Sequence, residues 1–461
     1  MKEQIIQTLQ DLRNYALGKG FEIELFYHEE DSYLMRFANS AISLNTNEHL
    51  IRLDITAYSG TKRASYALIT NLEKVDEMKH GIDTAAAMVE HAQPLTYQPT
   101  IPTFAESFSD ESGYNSALGG ISNAEKLVYF NQAVKGLESG EIKLSGIFSN
   151  GTNTIAQITT RSEYTQYFKT SDAQVTLVLS HGKLKWEVTA EQSAQKKSDL
   201  DPFALQRDLA FLVEHYQNDT PQQIPQGSYE IIFGSAAIAE MLNFMNWIAF
   251  NGGSLKRGFS CIAEDQVGKK VLSEHFTLTD DPDRLETYPF KRDLTGLERK
   301  AWPLFEKGVF QGFIWYQDDA DEFGAKPTGH TVTHQSLVLS GGDMEAGSLE
   351  ELVKLPREKD LLYIPFLHYM NIVNPSKGII TGSSRFGALL LKKDGSVVVP
   401  YNVRLTQSLL DIFGDKVAWV SKSGRPYNTT QSYGSRNPTA MFVPHFMQVN
   451  GLEISHSNSS Y

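Results

Sequence analysis

Two histidines four residues apart, in His330-Thr331-Val332-Thr333-His334, are the first residues whose types and spacing could do chemistry. On a helix, positions i and i+4 share a face about 6 Å apart and could hold one zinc ion. The intervening Thr-Val-Thr is β-branched throughout and follows Pro327-Thr328-Gly329, which favours a strand or loop. Four residues of strand span roughly 13 Å, too far for a shared metal. The acidic runs Asp280-Asp281-Pro282-Asp283 and Asp318-Asp319-Ala320-Asp321-Glu322 could offer carboxylates to Ca²⁺ or Mg²⁺, but neither has the alternating loop spacing such ions use. Solvated turns are the plainer expectation for both. Cys261 is the single cysteine, so the chain can form no internal disulfide and no cysteine-rich zinc site. It sits in a short strand-like run, where a lone buried thiol is expected to be inert. No G-x-S-x-G elbow occurs, and Asn251-Gly252-Gly253-Ser254 and Thr381-Gly382-Ser383-Ser384 fit neither a P-loop nor a dinucleotide fingerprint.

The elements that must position these groups switch period repeatedly. Ile5, Leu9, Leu12 and Ala16 recur at helical spacing before Gly18 and Gly20, and a second helix carries Val75, Met78, Ile82, Ala85, Ala86 and Val89. Between them Glu22–Tyr27 and Ile51–Thr56 alternate as strands. A helix around Ala124–Leu137 precedes strands at Thr154–Thr160, Glu163–Lys169 and Gln174–Ser180. The segment Asn218–Gly227, with Pro221 and Pro225, reads as a linker. Beyond it come a strand, Tyr229–Phe233, and a helix from about Ser235 to Phe250 that is apolar nearly all round and therefore expected to be buried. The remainder reads as β, with a hairpin at Asp394-Gly395 and a capping box at Ser348-Leu349-Glu350-Glu351. The expected organisation is α+β: an N-terminal α+β region (1–95), a strand-rich central region (96–222) and a β-rich C-terminal domain (223–461) of antiparallel-sheet or barrel-like character.

At 461 residues the chain is long enough for several domains, and 41% hydrophobic with 21% charged residues is globular composition. The formal charge of −13, with no basic stripe, argues against direct contact with nucleic acid. The start is amphipathic and not a signal core, and the most apolar window, Ile231–Phe250, is broken by Glu240, Asn243 and Asn246. A cytoplasmic protein without a membrane span is expected.

The order of several segments carries a resemblance. Met35-Arg36-Phe37-Ala38-Asn39-Ser40-Ala41-Ile42 is similar to the RxANS strand of TldD/PmbA proteins. Glu264–Val271, Thr277–Pro282, Glu306–Phe313, Pro327–His330 and Gly378–Ala388 follow in the order of that family's landmarks. One departure is Thr328-Gly329-His330, where the family has TGN. The resemblance implies a C-terminal peptidase-like domain. It also implies, in the TldD-like members, a zinc ion held by two histidines of an HExxxH helix and a later cysteine. Three such ligands leave one position for a water that the zinc acidifies. Here the equivalent helix places Asn243 and Ile248 at the histidine positions and Phe244 at the glutamate, with no histidine from Glu230 to Gly258 and no cysteine after Cys261. The chain therefore resembles the PmbA (TldE) members, which lack the metal motif and pair with a TldD-like subunit.

That resemblance implies no catalytic residue and no metal in this chain, with zinc expected in a TldD-like partner. A heterodimer or larger assembly is expected, a homodimer being possible, with unfolded peptide held as an added strand on an open sheet edge. Asn39, His330, His334 and Arg385 are the candidate peptide contacts; each is equally readable as a turn or strand-face residue. Two alternatives stand beside it: a stand-alone hydrolase using His330, His334, His275 or His368 with the acidic runs, and a peptide- or antitoxin-binding protein without turnover. The name "modulator of DNA gyrase" attached to the family implies no DNA contact for so acidic a chain.

Overall fold

The computed structural model describes residues 1–217, 220–330, 335–430 and 436–458. Helices Lys2–Gly18 and Val75–His91 bury the apolar stripes read from their spacing, Ile5, Leu9 and Leu12 from the first and Met78, Ile82 and Ala85 from the second. They pack on a seven-stranded sheet whose central members are Glu22–Ala38, Ala41–Ser59, Ile142–Thr159 and Gln166–His181. The strands on either side of residue 95 hydrogen-bond within this one sheet. Strand Glu187–Ala194 pairs with Gln166–His181 at one edge.

These strands are longer than their alternation announces. Ala41–Ser59 runs 19 residues, but alternates buried and half-exposed only from Leu50 onward, where the helices cover one face. Nearer the hairpin tip neither face is covered, so the sequence carries no period there. The segments Glu163–Lys169 and Gln174–Ser180, read as two strands, join in the single strand Gln166–His181. Polar Ser171 and Asp172 interrupt the apolar pattern at its middle, and both are fully buried.

Two further sheets make the C-terminal half, so the fold is α+β with a β-rich second part. The nine-stranded sheet is mixed. Its core strand Phe446–Asn458 pairs with Gly227–Gly234, Asn402–Ser408 and Val417–Val420, and Gly227–Gly234 pairs in parallel with Leu361–Ile364. The six-stranded sheet ends in the hairpin Gly424–Asn428 and Ala440–Pro444. Helix Ser235–Ile248 contacts strands of both sheets, and Met241, Leu242 and Met245 are wholly buried in the largest core. The expectation of a buried helix holds. The Asp394-Gly395 hairpin forms, with Gly395 at φ 91°. The capping box at Ser348 is half formed: Ser348 Oγ accepts from Glu351 N, while Glu351 turns to accept from Gly347 N. Among the described residues no helix is long and apolar enough to cross a membrane.

One buried cluster joins the halves. Arg436, 1% exposed, donates through Nε and Nη2 to the two Asp172 oxygens at 2.7 Å each, and through Nη1 to Ser32 and Ser149. Its backbone N donates to Glu30. Gly151 is required beneath it, because a Cβ there would lie 2.3 Å from Asp31 O and 2.8 Å from Arg436 Nε. Removing one partner of a buried ion pair strands the other charge. Arg436→Ala should cost about 3–5 kcal/mol in denaturant unfolding.

Lys126 is the converse case. It is wholly buried, with Nζ 5.6 Å from the ring centroids of both Tyr33 and Phe148, and burial followed by the nearby Arg436 charge pushes its pKa down to about 8. The unfolded chain then binds more protons between pH 8 and 10.5, so the penalty is greatest below pH 8 and fades as pH rises through that window. Lys126→Met should therefore stabilise by on the order of 1–3 kcal/mol at pH 7, with the gain shrinking toward pH 10.5 in thermal unfolding.

Candidate functional site

The seam between the halves holds a two-part cavity. One wall is strand Glu187–Ala194, whose Glu191 is 8% exposed. The second is helix Pro202–Tyr216, which Asp201 caps through its Oδ1 and Pro202 opens. Leu205, Leu209 and Leu212 make that helix's buried stripe. Asp208, three residues after Leu205 and four before Leu212, falls on the edge of the same stripe and faces the cavity. This helix was not read from the sequence. Its stripe and its Asp-Pro start were the signals that could have found it, and Asp208 was missed with it.

The third wall is strand Gly424–Asn428. Arg425 donates from Nε to Ser235 Oγ at 2.7 Å, from Nη2 to Glu191 Oε1 at 2.6 Å and from Nη1 to Glu191 O at 3.4 Å. All three guanidinium nitrogens are thus engaged. Tyr427 donates to Glu240 Oε1 at 3.3 Å on helix Ser235–Ile248. That helix starts against the cavity at Gly234, where a Cβ would lie 3.0 Å from Pro365 Cα. His445 closes the set from the turn between Ala440–Pro444 and Phe446–Asn458.

The inner chamber is about 260 Å³, lined on its apolar side by Leu212, Pro365, Phe366 and Phe386. It shares Glu191, Asp208, Arg425 and His445 with an outer vestibule of about 690 Å³, where Asp199, Asp283, Glu286, Lys196 and Arg207 stand. Burial raises the pKa of Glu191 against the pull of Arg425, and raises Asp208 against Arg425 and Arg207. Burial also raises Glu240, which the Tyr427 hydrogen bond opposes. Burial works against the charge of Arg425, but Glu191 and Asp208 more than offset it. Burial, then the Arg425 charge, pushes His445 down to about 4, so its imidazole is neutral at pH 7. Ser235 serves Arg425, and Ser348 caps a helix, so each of these hydroxyls already has a structural partner. The chamber is equipped to bind a polar group beside an apolar one.

The residues singled out from sequence lie elsewhere. Asn39 (φ 52°) and Ser40 (φ 64°) form the two-residue turn of the long hairpin, with Asn39 exposed at its tip. His330 is 2% exposed, its Nε2 3.8 Å from Asp280 Oδ2 and its ring 5.6 Å from Trp302, so it presents nothing to solvent. His334 lies outside the described residues. Arg385 ends a strand, reaches Glu187 Oε2 at 3.4 Å and stacks 4.6 Å from the Phe386 ring, next to the chamber but not lining it. His368 is nearby, its pKa lowered by burial and then Arg385, while His275 is half-buried in a separate loop.

The acidic runs are solvated turns only in part. Residues 281–283 do turn, with Asp283 exposed, but Asp280 is fully buried against Arg299 at 2.6 Å. Asp318 pairs with Arg63 and Asp319 with Arg257 on a short helix, Gln317–Phe323. Opposite charges from distant segments meet there, which spacing along one segment could not show. Cys261 lies in a bend and not a strand, and burial pushes its thiol up to about 12.

Residues 226–456 match the PmbA/TldA metallopeptidase C-terminal domain. The chain belongs to the PmbA/TldD family. No curated protein matches the sequence. Among solved structures, TldE from Thermococcus kodakarensis is similar at 18% identity and a TM-score of 0.80, covering 97% of this chain and 100% of that one. A protein named as a candidate modulator of a DNA gyrase from Thermotoga maritima is similar at 14% identity and TM-score 0.76, covering 97% and 99% of the two chains. A similarly named protein from Bacteroides thetaiotaomicron gives 15% identity and TM-score 0.73, covering 97% and 98%. At these identities the likeness is one of fold across the whole length.

Within this PmbA/TldD fold the helix Ser235–Ile248 does not suit a zinc ion. Ile248 has no donor atom and is 3% exposed, with its backbone O accepting from Cys261 N at 2.7 Å. Phe244 offers no base, and no cysteine follows Cys261 to serve as the family's later ligand. The helix spends its polar groups otherwise: Glu240 on Tyr427, and Asn246 as acceptor from Gln335 Nε2 at 2.6 Å.

The depressed His445 gives a test of the chamber's electrostatics. The unfolded chain binds more protons between pH 6.5 and 4, so His445 costs stability as pH falls through that window and nothing above it. NMR titration should show the His445 ring neutral down to about pH 4, and His445→Gln should flatten the acid limb of the stability curve.

Proposed function

We propose that this chain is the non-metal, TldE/PmbA-like subunit of a heteromeric metallopeptidase, partnered by a TldD-like subunit that carries the zinc. It works in the cytoplasm on small unfolded peptides, holding substrate and completing the channel without cleaving it. The observation that carries the reading is the chemistry of helix Ser235–Ile248. A family fold has been kept along the whole chain, while the helix that would hold metal offers Asn243, Phe244 and Ile248 instead of HExxxH.

Peptide holding has support at the edge of the nine-stranded sheet. Strand Phe366–Asn374 pairs on one side only, with Ile379–Arg385, and leaves Tyr369, Ile372 and Val373 exposed. An open edge of this kind offers backbone groups to an extended peptide. Of the peptide contacts named from sequence, Asn39 at its exposed turn and Arg385 beside this edge are the ones retained.

Co-expression with a TldD-like protein tests the proposal. The two should co-purify as one species that cleaves an unfolded peptide, while this chain alone holds substoichiometric zinc and leaves the peptide intact. Stoichiometric zinc and cleavage by the chain alone would overturn it, as would failure to associate with any TldD-like subunit.

A further inference from the structure

The inner chamber has a charge that its own residues do not satisfy. Arg425 has its charge balanced by Glu191 and uses three of its five N–H donors on Ser235 and Glu191. Asp208 shares the chamber with it but forms no hydrogen bond and no ion pair with any described residue. His445 is uncharged at neutral pH, so one of its two ring nitrogens is an acceptor and the other a donor. Acidic side chains outnumber basic ones in the cavity linings, Glu191, Asp199, Asp208, Asp283 and Glu286 against Lys196, Arg207 and Arg425, although Asp283 and Glu286 pair with Lys291 and Arg284. A carboxylate held in a half-apolar chamber with the Arg425 and Arg207 charges near it but no hydrogen-bonded partner is costly, and a ligand cation would relieve it.

We propose that this chamber is a receptor for a primary ammonium group carried beside an apolar side chain, as at the N-terminus of an unfolded peptide or on a lysine. An ammonium has three donors and no acceptor, and the chamber offers Asp208, the second oxygen of Glu191 and the His445 ring as acceptors. The neighbouring apolar group would rest on Leu212, Pro365, Phe366 and Phe386. At about 260 Å³ the chamber is small beside the roughly 300–1,000 Å³ of drug-sized pockets, which suits one or two residues of a chain end. The start of helix Ser235–Ile248 lines the same chamber, and Asn243 lies eight residues on, roughly 12 Å along the axis. The chamber is therefore separate from the position of the family's metal motif. The proposal rests on the peptide-holding reading above and adds the end of the peptide that is recognised.

Calorimetry on the full chain tests it with three probes: Leu-Ala-Ala-amide, its N-acetylated form and N-acetyl-lysine-amide. The free amine should bind at least about tenfold more tightly than the acetylated peptide, a difference of about 1.4 kcal/mol. The lysine probe shows whether a side-chain ammonium serves as well as an N-terminus. Asp208→Asn, a neutral isostere at a half-buried site, should keep the melting temperature and abolish the discrimination, while Asp208→Glu should retain part of it. Equal binding of free and acetylated peptides, no binding of any probe, or discrimination that survives Asp208→Asn would each overturn the proposal. Asp208→Asn should still co-purify with a TldD-like subunit. Absence of amine discrimination in the unsubstituted chain with association intact therefore defeats this inference alone, and intact discrimination without association defeats the subunit reading alone.

Discussion

The buried pair of Arg436 and Asp172 is the interaction on which the rest of the molecule's geometry depends. Asp172 stands mid-strand in the N-terminal sheet, and Arg436 belongs to the loop that joins Gly424–Asn428 to Ala440–Pro444. The same aspartate accepts from Asn428 Nδ2 at 3.4 Å, and Asn428 also reaches Ala173 O and the Tyr288 hydroxyl. This network fixes strand Gly424–Asn428 against the N-terminal sheet, and that strand presents Arg425 to Glu191. A cavity walled by two halves of a chain has a definite shape only if the halves have one relative placement. Buried charges give that placement directional definition that apolar packing alone does not.

The site helix shows how a family fold can keep its frame while its chemistry changes. Packing between two sheets asks the helix for apolar bulk at Met241, Leu242 and Met245, and those are present. Metal binding would ask for donors on the same helix, and Ile248 supplies none. The two demands fall on different side chains, so the second can lapse without disturbing the first. What polarity remains near the helix start has gathered into the seam, where strand Gly424–Asn428 sends Tyr427 to Glu240 and Arg425 to Glu191.

Much of the fold was legible because burial imposes periods. The stripes of the first two helices, the strand at Ile231–Phe233 and the helix after it all follow from one covered face or from full enclosure. Legibility failed where burial and polarity part company. Ser171 and Asp172 read as a break between strands because buried polar residues look like loop residues until their partner, 264 positions away in the case of Asp172 and Arg436, is known. The acidic run at Asp318–Glu322 failed for the same reason, since Arg63 and Arg257 come from distant segments. The chamber was the least legible part. Glu191, Asp208, Arg425 and His445 have no mutual spacing, and each alone is an ordinary charged or aromatic residue. The family resemblance rested on ordered segments and on a missing motif, both of which a linear reading can see.

The strand order of the nine-stranded sheet has a consequence for how the protein is made. Strand Gly227–Gly234 carries Ile231, Ile232 and Phe233, all fully buried, yet one of its neighbours is Phe446–Asn458, close to the end of the chain. At 5–20 residues per second a ribosome needs roughly 10–40 s to travel from the first strand to the second. Throughout that interval an apolar strand waits with an open edge while the N-terminal sheet is already complete. The nascent chain thus has a built-in window in which it needs protection from its neighbours on the polysome. The seam chamber, whose His445 directly precedes that strand, can form only after residue 445 has been made.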